Sequence, residues 1–137
     1  MRVVLDANVF VSGAIQKGAS FRIVQRWLAD DDFEVILCPE LIAEVADVLT
    51  ERPRLRKWID LPTAHEYIET ISALVDLVSD PGSIEATTRD PDDDYLVALA
   101  REHSADYIVT GDKDLLEWEA QAPPAITPVA FEGLLSA

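Results

Sequence analysis

The chain has 137 residues, 49% of them apolar and 27% charged, which suffices for one globular domain with a sizeable core and is too little for two ordinary ones. No run approaches the roughly eighteen apolar residues of a membrane span, and a single cysteine, Cys38, excludes both an internal disulfide and a Cys/His zinc cluster. The formal net charge of −15 argues against tight nonspecific binding to nucleic acid unless bound cations or a basic partner offset the acids.

Residues 2–6 form an almost continuous apolar run ending in Asp6, the pattern of a strand buried on both faces with the acid at its carboxyl end. Residues 8–16 and 21–29 carry helical apolar spacing, separated by Lys17-Gly18-Ala19-Ser20, with Ser20 placed to cap the second helix. Asp30-Asp31-Asp32 reads as a solvated turn. Residues 33–38 read as a second strand, in which Cys38 is a small buried hydrophobe. Pro39 suits the first position of a helix that puts Leu41, Ile42, Val45, Val48 and Leu49 on one side and carries Glu44 one turn in.

Arg52-Pro53-Arg54-Leu55-Arg56-Lys57-Trp58 then gathers a large share of the chain's few basic residues. Residues 62–74 read as a helix, 74–78 as a third buried strand, and Asp80-Pro81-Gly82 as a turn. The acids of 90–94, with Pro91 among them, mark the N-terminus of a helix that continues through 95–100. Residues 107–109 are a short strand, Thr110-Gly111-Asp112 turns out of it, and 115–119 is a short helix. Residues 126–130 give a final strand and 131–135 a closing helical turn. His65 and His103 each stand alone among helical residues and enter no mechanism. Strands alternating with helices predict a single α/β domain over 1–137, with a parallel, helix-covered sheet of about five strands. Asp6 comes too early for the apolar centre of a secretory signal, so the expected location is cytoplasmic.

In such sheets the binding crevice lies beyond the carboxyl ends of the strands, where strand order reverses. Asp6 and Asp112 both follow strands there, and Asp94 opens the helix leading to the strand before Asp112. Glu44 lies one turn inside a helix whose start faces the same edge. Converging carboxylates repel one another, and divalent cations resolve the conflict, since oxygen ligands suit magnesium or manganese. A cation there can activate a water and stabilise the charge of a phosphate substrate, so no protein nucleophile is needed. Acids elsewhere in an acidic chain mostly solvate the surface or cap helices, and Asp30, Asp31, Asp32, Asp90, Asp92, Asp93 and Asp114 read that way. Glu40, one turn before Glu44, competes with it for the same role.

Four segments, in order, resemble PIN domains: Val4-Leu5-Asp6-Ala7-Asn8-Val9-Phe10-Val11-Ser12, Pro39-Glu40-Leu41-Ile42-Ala43-Glu44-Val45, the run from Arg89 to Ala100, and the run from Ala105 to Leu115. The likeness is greatest to the PIN proteins of toxin–antitoxin systems, relatives of the VapC toxins. It implies a three-layer α/β/α fold and a ribonuclease dependent on Mg2+ or Mn2+. Asp6, Glu44, Asp94 and Asp112 carry over as the acidic site, with Asp6, Asp94 and Asp112 on the metal and Glu44 completing it or orienting water. Asn8 and Thr110 carry over as polar supports, and Asp92 and Asp114 as auxiliary acids. The resemblance also implies an RNA substrate, a small antitoxin partner and a homodimer, and Arg52, Arg54, Arg56 and Lys57 are expected to meet RNA phosphates. The alternatives are an RNA-processing PIN nuclease without antitoxin and a noncatalytic protein-binding subunit. Phosphoaspartyl transfer, as in haloacid-dehalogenase-like phosphatases, ranks below them, because Asn8 stands where that chemistry wants a second Asp.

Overall fold

Three consecutive residues, Val3, Val4 and Leu5, are completely buried. Successive strand residues point to opposite faces, so this strand, β1 (Arg2–Leu5), must be covered on both sides. A computed structural model shows how. It describes residues 1–29, 33–74, 77–85, 91–118 and 122–136, with the side chains of residues 91 and 92 left out of the description.

Four parallel strands in the order β2-β1-β3-β4 make the sheet: β2 (Glu34–Val35), β3 (Tyr107–Val109) and β4 (Ala125–Ile126) join β1. Leu5 pairs with Val109 in the register of β1 and β3. Chain order reverses at β1, with β2 on one side and β3 on the other, which opens a crevice at the carboxyl ends of β1 and β3.

The helices are α1 (Ala7–Ile15), α2 (Ala19–Ala29), α3 (Pro39–Glu51), α4 (Leu61–Ala73), α5 (Pro91–Glu102), α6 (Lys113–Leu116) and α7 (Pro128–Ser136), with a short 3-10 helix at Pro53–Lys57. α5 packs on β1 and β3, α1 joins α2 to α3, and α2 meets α7. The Tyr67 hydroxyl of α4 donates to the Phe10 carbonyl of α1 at 2.7 Å, fixing the α3–α4 pair against the start of the fold.

At Gly13 α1 comes close to α2, since a Cβ there would lie 3.0 Å from Val24 Cγ2 and 3.2 Å from the Ser20 carbonyl oxygen. Gly13→Ala is therefore expected to destabilise the protein by about 1–2 kcal/mol, overpacking outweighing the better helix propensity of Ala. An unchanged denaturation midpoint would refute this.

Several elements differ from expectation. The sheet has four strands among the described residues, not five. Of the strand expected over 74–78, Leu74 closes α4, residues 75 and 76 lie outside the description, and Leu77 and Val78 adopt no strand. Among the described residues, the Val78 N–H donates to the carbonyl of Leu37, just past β2, at 2.8 Å. Asp80 then leaves to accept the Glu40 backbone N–H, capping α3.

Ser20 is not the cap of α2, because the helix begins at Ala19 and already encloses it. The final strand is only Ala125–Ile126. Pro128 fits a first helical turn and Thr127 Oγ1 accepts from Ala130 N–H at 3.1 Å, so helix begins where strand was expected. α6 likewise starts at Lys113, because Asp112 caps it. It also stops at Leu116, with Glu117 as its C-cap, short of the expected end, while residue 119 and the expected turn at 30–32 lie outside the described residues.

Candidate metal centre

The end of β1 delivers Asp6 into the crevice. Its Oδ2 accepts the Thr110 hydroxyl at 2.7 Å and its Oδ1 takes a long bond from the Asn8 backbone N–H, at 3.4 Å. Asp6 is buried, and burial pushes its carboxyl above the ordinary aspartate value. The Thr110 and Asn8 bonds oppose that shift, and the nearby Asp112 charge adds to it.

Thr110 is the hinge of the arrangement. Fully buried at the end of β3, it donates to Asp6 and accepts the Asp112 backbone N–H at 3.0 Å on the same oxygen. The turn 110–112 is thus fixed relative to β1. Asp112 Oδ1 in turn accepts the Asp114 backbone N–H at 2.9 Å, capping α6 and holding Asp112 and Asp114 side by side.

Across the crevice, α5 contributes Asp93. Carboxylate oxygens of Asp93, Asp112 and Asp114 lie within 4.8 Å of one another. Asp93 is buried, Asp112 half-buried and Asp114 exposed, so the group has a closed floor and an open side. Three carboxylates this close suffer mutual repulsion and desolvation, and an all-oxygen donor set suits a hard divalent cation. The residues therefore fit such an ion.

Asp94 has a different outlook. Adjacent helix residues differ by about 100° in direction, and its side chain lines a cleft of about 210 Å³ with Ser83, Glu85, Val97, Ala98, Arg101 and Glu102. Glu44 is exposed on α3 and its Oε2 accepts the Tyr95 hydroxyl at 3.1 Å, which ties it to α5 two residues after Asp93. Asn8 supports Asp6 through its backbone, while its side chain is exposed. The Asp92 side chain and all of Asp90 lie outside the description.

Pattern reading passed over Asp93 and Tyr95. Five residues of 90–94 contain four acids, and spacing cannot select among them because one step along a helix re-aims the side chain. The signal for Tyr95 was its hydroxyl, which in a buried helical position needs a partner.

The model of the PIN domain family matches residues 2–114, most of the chain and every strand end that carries these acids. The chain belongs to the PIN-domain family. PIN domains are typically nucleases, generally metal-dependent, that act on RNA, which agrees with a carboxylate group at the crevice of a parallel α/β sheet. No curated protein and no solved structure matches the chain.

The basic run after α3 divides in two. The Arg56 guanidinium is half-buried and donates to the Leu49 carbonyl, closing the last turn of α3. Arg52, Arg54 and Lys57 are exposed. Among the described residues no helix is long and apolar enough to cross a membrane.

Thr110→Val tests the hinge. It keeps the shape but removes the bond to Asp6 and the acceptor for Asp112 N–H, and loss of such an outer partner in a metal site costs about 10–100-fold in activity. Wild-type cleavage rates from this variant would remove Thr110 from the site.

Proposed function

We propose that this PIN domain, spanning 1–137, is a metal-dependent endoribonuclease that hydrolyses RNA phosphodiester bonds with water. The observation that carries the reading is the grouping of Asp93, Asp112 and Asp114 beside Asp6 at the carboxyl ends of β1 and β3. Asp93, Asp112 and Asp114 would hold Mg2+ or Mn2+, with Asp6 behind them. When bound, the cation supplies Lewis-acid stabilisation of the phosphate and a more acidic water.

The chain's own groups supply the rest. Thr110 keeps Asp6 and the 110–112 turn in register, so that the carboxylates do not have to reorganise on binding. Glu44, steadied by Tyr95, orients the attacking water and takes its proton. Arg52, Arg54 and Lys57 neutralise phosphates of the incoming strand. In the sequence-based assignment Asp94 is a metal ligand; we assign that role to Asp93, and Asp94 to the neighbouring cleft.

The likeness to VapC relatives supports a toxin role, with a homodimer and a small cytoplasmic antitoxin that sets a basic side chain against the acids, suiting a net charge of −15. Cleavage of a mixed structured RNA by purified protein, compared in magnesium, manganese and chelator, tests the activity. The expected result is metal-dependent cutting that disappears in Asp112→Asn. Equal cutting by the two proteins would assign the activity elsewhere.

A further inference from the structure

Two of the three tryptophans are sheltered: Trp27 is buried against Phe10, and Trp118 is half-buried with the Arg101 guanidinium 5.6 Å from its ring centre. Trp58 is 51% exposed. Its exposure is built in by its neighbours. Leu55 and Ile59, on either side, are buried and anchor the segment, and the Arg56 guanidinium fastens it to the Leu49 carbonyl. The indole is left pointing outward, with Leu61, also exposed, shortly after it.

The run from Arg52 to Ile59 that carries this ring is positive, bounded by the exposed acids Glu51 and Asp60. Arg52, Arg54 and Lys57 are exposed, no acidic residue occurs between Arg52 and Ile59, and the Lys57 ammonium lies 4.4 Å from the centre of the indole. With the Lys57 ammonium over one face of the indole, the other face and the neighbouring cations match single-stranded nucleic acid, whose phosphates meet the cations while an unpaired base stacks on the ring. A duplex hides its base faces and offers only phosphates. The segment also follows directly from the helix that carries Glu44, with Glu51 seven residues further along, a rise of about 10 Å.

We propose that Trp58 is a stacking platform for an unpaired base of the RNA substrate, flanked by Arg52, Arg54 and Lys57, and that it selects single-stranded over duplex RNA. This rests on the ribonuclease reading for its substrate class. It adds a residue and a mode of contact which that reading does not contain.

The test measures binding of a short labelled oligouridylate and of a hairpin duplex to the full chain, with calcium replacing magnesium. Trp58→Ala is expected to weaken oligouridylate binding roughly tenfold to a hundredfold, the range for losing one base–aromatic stack, and to leave duplex binding unchanged. Trp58→Phe keeps a stacking face and retains most of the affinity, which separates stacking from misfolding. Arg54→Ala should weaken both RNAs and lower the salt dependence by about one phosphate contact.

Equal oligouridylate affinity for Trp58→Ala and wild type overturns the proposal, as does an equal loss on both RNAs or a wild type that binds neither. A change of oligomeric state with RNA affinity intact also overturns it and makes the patch a protein-docking face. Stacking without cleavage in any metal would retain the platform and defeat the nuclease reading. Cleavage with Trp58 silent would do the reverse.

Discussion

Asp93→Asn is expected to abolish metal-dependent RNA cleavage while Asp94→Asn keeps most of it. The two residues are neighbours of the same charge, both buried on the first turn of α5, so composition and burial predict equal effects. Geometry predicts different ones. Asp93 shares its position with Asp112 and Asp114, whereas Asp94 lines the cleft with Glu85 and Arg101. Removing an inner ligand should exceed the roughly 10–100-fold lost with an outer partner.

Single-turnover cleavage at saturating metal, with thermal melting of each variant, checks the pair. Both variants must melt near wild type for the comparison to count. Loss in Asp94→Asn with activity kept in Asp93→Asn would reverse the assignment. Equal loss in two folded variants would mean that both carboxylates serve the reaction.

The second large effect combines loss of function with gain of stability. Asp6→Asn should slow cleavage by about 10–100-fold, as for loss of an outer partner, and yet raise the melting temperature of the metal-free protein at neutral pH. In the fold the Asp6 carboxyl titrates above its ordinary value, because burial and then Asp112 disfavour its charge more than Thr110 and Asn8 support it. Protonation is therefore easier in the folded chain than in the unfolded one. The stabilisation from this group is fully present below the unfolded value, about pH 4, and is lost as pH rises through the raised folded value.

At neutral pH the charged form is buried at a cost, and an amide of the same shape avoids it while still accepting from Thr110. The melting difference between Asp6→Asn and wild type should be near zero in acid and grow toward neutrality. Divalent metal should narrow it by stabilising the wild type more than the variant. A variant that melts lower than wild type at pH 7 without metal would show that the charge of Asp6 is already compensated. Sites of this kind hold stability in reserve for a ligand, the usual trade between activity and folding.

The path from residues to site was partly open to inspection. Val3, Val4 and Leu5 announce a central parallel strand because a strand covered on both faces has no polar alternation, and Asp6 follows at once. Tyr107–Val109 before Thr110 and Asp112 says the same at β3. These local patterns determined the α/β class, the main helices, and the strand-end placement of Asp6 and Asp112. They failed at Leu77 and Val78 and at residues 128–130, where short apolar runs suit strand or helix equally. There the outcome depended on tertiary bonds such as that from Val78 N–H to Leu37 and on the Thr127 cap before Pro128.

What the chain by itself determined, then, is the set of strands that end in acids and the crowding of acids before α5. Each follows from a periodicity of two or of 3.6 residues that burial imposes locally. Only tertiary structure decided that Asp93 faces Asp112 and Asp114, that Thr110 links Asp6 to the 110–112 turn, that Tyr95 holds Glu44, and that Trp58 stands exposed while Arg56 turns inward. These are contacts between residues up to 104 positions apart in the chain, and their direction depends on helix rotation. A rotation of one residue moves a carboxylate from one cleft to the next, and it is set by how α5 packs on β1 and β3, not by the order of residues within α5.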